Sequence, residues 1–211
     1  MQRVALIDYG SGNLRSAEKA LSRVADGAAE IVVTSDAAAI AAADRVVLPG
    51  VGAFAACRSA LQARAGVIEA MTEAVQERGA PFLGICVGMQ LLATRGLEFG
   101  ETLGLGWIAG DVKKLEPADP EIKIPHMGWN SLVDVCDHPL FKPLQNGDAV
   151  YFTHSFAIFP DNPADVAAWV DHGGRFPAAV VRGNVAGVQF HPEKSQKPGL
   201  ALLKRFLEWR P

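Results

Sequence analysis

Of the 211 residues, three are cysteine and five are histidine, and one of each sits in a setting suited to covalent catalysis. The segment Pro81-Phe-Leu-Gly-Ile-Cys-Val-Gly-Met-Gln-Leu-Leu reads as strand, sharp turn and helix, with Cys86 at the turn between Gly84 and Gly88. This is the glycine-x-nucleophile-x-glycine pattern of a nucleophile elbow. A nucleophile exposed at a strand end must turn abruptly, and side chains two positions to either side would collide with neighbouring backbone. The helix expected from about Val87 points N–H groups and its positive dipole end at the sulfur, which favours the reactive thiolate. The competing reading of Cys86 is a small buried hydrophobe in a glycine-rich loop, the usual place of a free cysteine.

A cysteine nucleophile needs a base, and the segment Val185-Ala-Gly-Val-Gln-Phe-His-Pro-Glu supplies His191 at the end of a β-type run. Pro192 biases the backbone at His191 towards extended geometry. In an extended chain positions i and i+2 project to one side, so Glu193 is placed to accept the second ring N–H and fix the tautomer, as in a triad. The separation of about 105 residues from Cys86 is no obstacle, because such partners meet only in space. Alone, a His-Pro-Glu would read as a surface turn; the cysteine elbow changes that balance. His138 and His172 read as exposed turn residues, and His154 as structural.

The elements that must position these groups follow from the apolar pattern. Val4 to Asp8, Ile31 to Thr34, Val46 to Leu48 and Pro81 to Ile85 read as strands. Helical spacing runs through Leu14, Ala17, Leu21 and Val24, through the alanine-rich stretch capped by Ser35-Asp36, and from Ala53 to Arg78 with a break near Gly66. Continuous apolar strands joined by helices predict an α/β fold with a mostly parallel central sheet flanked by helices. From about Leu103 the helical period disappears. Asp111–Leu115, Trp129–Val135, Ala149–Ile158, Val166–Asp171, Ala178–Arg182 and Val185–Phe190 read as strands, many of them antiparallel hairpins, before a closing helix Leu200–Trp209. No linker marks a second domain, so residues 1–211 read as one.

Composition narrows the class. A chain of this size buries enough surface to need no metal or disulfide staple. The net charge of −3 offers no reason to expect nucleic acid or an anionic membrane as partner. No secretory leader and no apolar run long enough to cross a bilayer are seen. Three cysteines without CxxC spacing, Cys57, Cys86 and Cys136, argue against a disulfide framework or zinc site and for a reducing, cytoplasmic setting.

Together, Gly84-Ile-Cys-Val-Gly-Met-Gln90 and Gln189-Phe-His-Pro-Glu193 resemble the class I, triad-type glutamine amidotransferases, and Pro49-Gly-Val-Gly52 looks like that family's oxyanion strand. Asp8-Tyr-Gly-Ser-Gly-Asn-Leu14, Pro125-His-Met-Gly-Trp-Asn130, Tyr151-Phe-Thr-His-Ser155 and His191-Pro-Glu-Lys-Ser195 narrow the likeness to the glutaminase subunits of imidazole glycerol phosphate synthases. The likeness covers essentially the whole chain. Val87 stands where the familiar pattern has Leu, and Phe156 where it commonly has Tyr.

The resemblance implies hydrolysis of glutamine by Cys86, His191 and Glu193, with no cofactor and no metal. It implies oxyanion donors at Val87 and at Val51 or Gly52, and contacts to glutamine from Gly52, Gln90 and Ser155. It further implies a (β/α)₈ cyclase subunit as partner, docked near Met127, Trp129, Tyr151 and Lys194, that consumes the ammonia in histidine biosynthesis. Rival readings are the glutaminase subunit of another synthase, a catalytically silent regulatory subunit, and a cysteine peptidase on a similar scaffold.

Overall fold

The computed structural model describes residues 1–211. Its first half alternates strand and helix: β1 (Gln2–Ile7), α1 (Leu14–Ala25), β2 (Ala29–Thr34), α2 (Ala37–Ala41), β3 (Arg45–Gly50), α3 (Phe54–Gln62), α4 (Val67–Thr72), β4 (Phe82–Cys86) and α5 (Val87–Gln90). The second half is mostly strand: β5 (Arg95–Gly96), β6 (Thr102–Leu103), β7 (Gly110–Lys114), β8 (His126–Val133), β9 (Ala149–His154), β10 (Phe156–Pro160), β11 (Val166–Asp171), β12 (Arg175–Arg182) and β13 (Val185–Val188), closed by α6 (Gln196–Glu208).

Nine strands form one sheet in the order β2-β1-β3-β4-β13-β12-β11-β8-β9. The pairs from β2 to β13 are parallel and those from β13 to β9 antiparallel. A smaller sheet, β10-β7-β5-β6, lies beside it. The α/β fold with a parallel first half and antiparallel later strands therefore stands. Every residue of β3, β4 and β13 is buried, as central strands covered on both faces must be. No helix is long and apolar enough to cross a membrane.

Several boundaries differ from the sequence reading. The single strand expected over Ala149–Ile158 is two, because the chain leaves β8 at His154, turns at Ser155, and pairs with β7 in the other sheet. The long helix from Ala53 does break at Gly66, whose φ of 75° places it in the left-handed region that glycine adopts without strain. A π turn, Glu73–Glu77, ends that stretch. Helix α6 starts four residues earlier than expected, at Gln196 rather than Leu200. Pro198 falls in its first turn, where a missing N–H costs no intrahelical bond. Asp36 caps α2 through a 2.7 Å bond from the Ala39 N–H.

Sheet order explains how distant segments meet. β3, β4 and β13 are neighbours and parallel, so their carboxyl ends open on one edge. Register places Gly50 opposite Cys86 and Val188 opposite Ile85. The strand ends carrying Pro49–Gly52, Cys86 and His191 thus converge where open α/β sheets generally bind ligands.

Candidate active site

Cys86 ends β4 with φ 55° and ψ −113°, a strained conformation for a residue with a Cβ. The flanking glycines make that turn possible. A Cβ on Gly84 would lie 2.5 Å from the Gly88 carbonyl oxygen, and one on Gly88 would overlap the carbonyl oxygen of Leu48 in β3. The helix after the cysteine is shorter than expected: α5 is one four-residue turn, after which the chain tightens into further turns. One turn sums few peptide dipoles, so the dipole expected to favour the thiolate is small. The Val87 N–H opens this turn and has no intrahelical acceptor.

His191 follows β13, its own N–H bonded to the Tyr151 carbonyl at 2.9 Å. Its Nδ1 lies 2.9 Å from Glu193 Oε1, and both side chains are buried. The route to this contact differs from the extended chain inferred from sequence. Pro192–Lys194 form a 3₁₀ turn, and the carboxylate swings back beneath the ring. Ser195 Oγ donates to the His191 carbonyl at 2.6 Å and accepts from the Tyr151 N–H at 3.0 Å, tying the turn to β9. His191 Nε2 is buried with no hydrogen-bond partner, as is Glu193 Oε2. Burial by itself lowers the His191 pKa, but the neighbouring Cys86 sulfur and the Glu193 carboxylate outweigh it and push the value up to about 9.

The Pro49–Gly52 segment, expected to supply an oxyanion donor, is tied to residues 9–11. The Val51 N–H, expected to face an oxyanion, points instead to Ser11 Oγ at 3.3 Å. Ser11 Oγ donates to the Val51 carbonyl at 2.8 Å, and the Cys57 thiol approaches the same oxygen at 3.3 Å. Two positions earlier, the buried Tyr9 hydroxyl donates to the Pro49 carbonyl at 2.8 Å. Burial raises the Tyr9 pKa further above the phenol range, so it remains a donor. Gly52, at φ 101°, has open space where a Cβ would stand.

A cavity of about 300 Å³ opens over the sulfur, at the lower end of the range for small-molecule sites. Val51, Gly52, Cys86, Val87, Gln90, Ser155 and His191 line it together with Glu98, Pro125, Thr153, His154 and Phe156. Two polar residues escaped the sequence reading. Glu98 Oε2 accepts the first N–H of α3, at Phe54, from an irregular loop with no periodic signal. Gln189 is fully buried and directs Nε2 at Cys86 Sγ across 3.6 Å. Its place two residues before His191 was a usable signal.

Behind the cavity lies a buried chain of neutral imidazoles. His154 Nδ1 is 2.9 Å from the Phe156 carbonyl oxygen, which can only accept, so Nδ1 carries the proton. His154 Nε2 then accepts from His126 Nδ1 at 3.0 Å, and His126 Nε2 from Asn130 Nδ2 at 3.1 Å. Burial drives the pKa of His154 down to about 4 and that of His126 to about 3.

The residues assigned to docking share one surface. Alternation along β8 turns His126 inward and Met127 and Trp129 outward, 64% and 49% exposed. Trp129 pairs with Tyr151 across the strands, its ring edge-on at 6.0 Å, and Lys194 Nζ lies 5.4 Å from the centre of the Tyr151 ring.

A family model for class-I glutamine amidotransferase matches residues 5–209. The chain is 64% identical over 214 aligned positions to the imidazole glycerol phosphate synthase subunit HisH of Caulobacter vibrioides, covering all of both chains. It is 58% identical over 213 positions to the HisH subunit of Rhodospirillum rubrum, covering 99% of this chain and all of that one. A crystal structure of a glutamine amidotransferase, 20% identical over 97% of each chain, superposes with a TM-score of 0.71 and agrees in fold. The chain belongs to the class-I glutamine amidotransferase family, within its group of HisH subunits, and is an enzyme of that class.

Proposed function

We propose that this chain is the glutaminase subunit of an imidazole glycerol phosphate synthase. It would hydrolyse glutamine through Cys86, His191 and Glu193 and pass the ammonia to a (β/α)₈ cyclase subunit in histidine biosynthesis. The observation that carries the reading is the meeting of Cys86 and His191 at adjacent strand ends over one cavity, with Glu193 on the far nitrogen of the imidazole. Residues 1–211 act as one glutaminase domain in a cytoplasmic enzyme.

The Cys86 thiolate attacks the side-chain carboxamide carbon of glutamine. The Val87 N–H faces the developing oxyanion, and a second donor comes from the Val51–Gly52 segment after its peptide rotates away from Ser11. His191 gives its proton to the departing ammonia, leaving a thioester on Cys86. It then takes a proton from water, whose oxygen attacks the thioester carbon and releases glutamate. Gln90 has both amide hydrogens engaged, to the Phe156 carbonyl and to Gln189 Oε1, so its own oxygen is the atom offered to the substrate. Gly52 and Ser155 hold the amino-acid end.

Val51–Gly52 is also the switch. Rotation of a peptide beside glycine is cheap, and the bonds to Ser11 set the resting state. Docking of the cyclase on the Met127, Trp129, Tyr151 and Lys194 surface, with the cyclase's ligand bound, favours the rotated state. Delivery through a shielded passage keeps ammonia unprotonated. The deciding experiment is ammonia release from glutamine by the wild type and Cys86→Ala, with and without the cyclase subunit and its ligand. Full release by Cys86→Ala refutes the mechanism, and release indifferent to the cyclase refutes the coupling.

A further inference from the structure

We propose that Gln189 is a positioning residue whose carboxamide N–H is aimed at the Cys86 sulfur and stabilises the thiolate over the thiol. The proposal rests on Cys86 being the nucleophile but adds a group to which no role has been assigned.

The orientation of this amide is dictated from a distance. The Phe156 carbonyl oxygen can only accept, so Gln90 must present its NH₂ group there, at 2.9 Å. The other hydrogen of that NH₂ reaches Gln189 Oε1 at 3.0 Å. With its oxygen so occupied, Gln189 has only its Nε2 hydrogens to turn towards Cys86 Sγ, 3.6 Å away. A flipped amide would set NH₂ against NH₂ and leave an oxygen facing the sulfur, in an interior where solvent cannot compensate. The amide is therefore a fixed donor.

A donor aimed at sulfur is not neutral between thiol and thiolate. Hydrogen bonds to an ionised acceptor are roughly twice as strong as neutral ones, so the bond favours the anion. The charged or titratable groups around Cys86 are His191 after β13, backed by Glu193, Tyr9 after β1, and Glu98 on the cavity wall. None contributes a second neutral N–H donor like that of Gln189. A merely structural Gln189 would fill space and satisfy Gln90 without changing the sulfur.

The test measures alkylation of Cys86 by iodoacetamide against pH in the intact chain, read from the mass of the Cys86 peptide so that Cys57 and Cys136 do not contribute. Gln189→Leu is expected to raise the midpoint by about one pH unit, a roughly tenfold fall in the ratio of thiolate to thiol. Gln90→Leu leaves Gln189 in place but frees its amide to turn, and is expected to raise the midpoint by less. A folded Gln189→Leu with an unchanged or lowered midpoint overturns the proposal. Should that variant fail to fold, an unchanged midpoint in Gln90→Leu overturns it instead. Ammonia release by Cys86→Ala would sink the nucleophile assignment without moving these midpoints, so the two failures are distinguishable.

Discussion

His126 Nδ1 and His154 Nε2 face each other at 3.0 Å in the interior, and the proton between them belongs to His126. Its direction is set by the Phe156 carbonyl, which fixes the proton of His154 on Nδ1. Both rings are held neutral by burial, at about 3 for His126 and about 4 for His154. In the unfolded chain each titrates near the ordinary histidine value, so between that value and pH 4 the unfolded state binds more protons. Stability is therefore whole above about pH 6.5 and drains as pH falls towards the folded values, by on the order of 2–4 kcal/mol at pH 5. Urea midpoints from pH 5 to 8 check this; a flat profile below pH 6.5 contradicts it.

His191 carries the opposite sign. Its folded value of about 9 lies above the unfolded one, so its contribution is complete below about pH 6.5 and is lost as pH rises through 9. An NMR titration of His191 should give a midpoint near 9, lowered in Cys86→Ala because the sulfur supplies part of the shift. Glu193→Gln should lower it too. With the orienting charge gone, ammonia release in that variant should fall by roughly 10²- to 10⁴-fold.

Ser11 holds the two peptides that flank Val51 by two bonds, one to the Val51 oxygen and one from the Val51 N–H. Ser11→Ala removes both. At about 1 kcal/mol for each bond, the rotated state gains population, and ammonia release without the cyclase should rise several-fold up to about thirtyfold. Steady-state assays of the isolated chain read this directly, and unchanged or reduced release would mean Ser11 is not the latch.

Gly88 is sterically irreplaceable because a Cβ there overlaps the Leu48 carbonyl, and backbone cannot yield as a flexible side chain does. Gly88→Ala should cost about 3 kcal/mol or more. Gly174→Ala, whose Cβ meets only the Phe176 ring at 3.5 Å, should cost less than about 1 kcal/mol. Denaturant unfolding of both variants measures the difference.

Some of this was legible early. Apolar runs marked the parallel strands because buried strands need apolar residues on both faces, and Gly84 and Gly88 marked the elbow because only glycine fits there. The split at Ser155 was not, since Thr153-His-Ser-Phe156 contains no glycine or proline and the break arises from a change of sheet. Glu98 gave no signal because its loop has no period. Gln189 was visible as a letter but not as a donor, because the direction of an amide depends on partners about 100 positions away.

By itself the amino-acid sequence determined the α/β alternation, the turn that presents Cys86, and the identity of the imidazole and carboxylate. These depend on local sterics and on patterns a few residues long. Only the tertiary structure decided which way the Val51 N–H points, that His191 meets Glu193 through a 3₁₀ turn, and which hydrogen faces the sulfur. Each is settled by hydrogen-bond partners from strands distant in the chain, and a donor's direction exists only once its acceptor is in place.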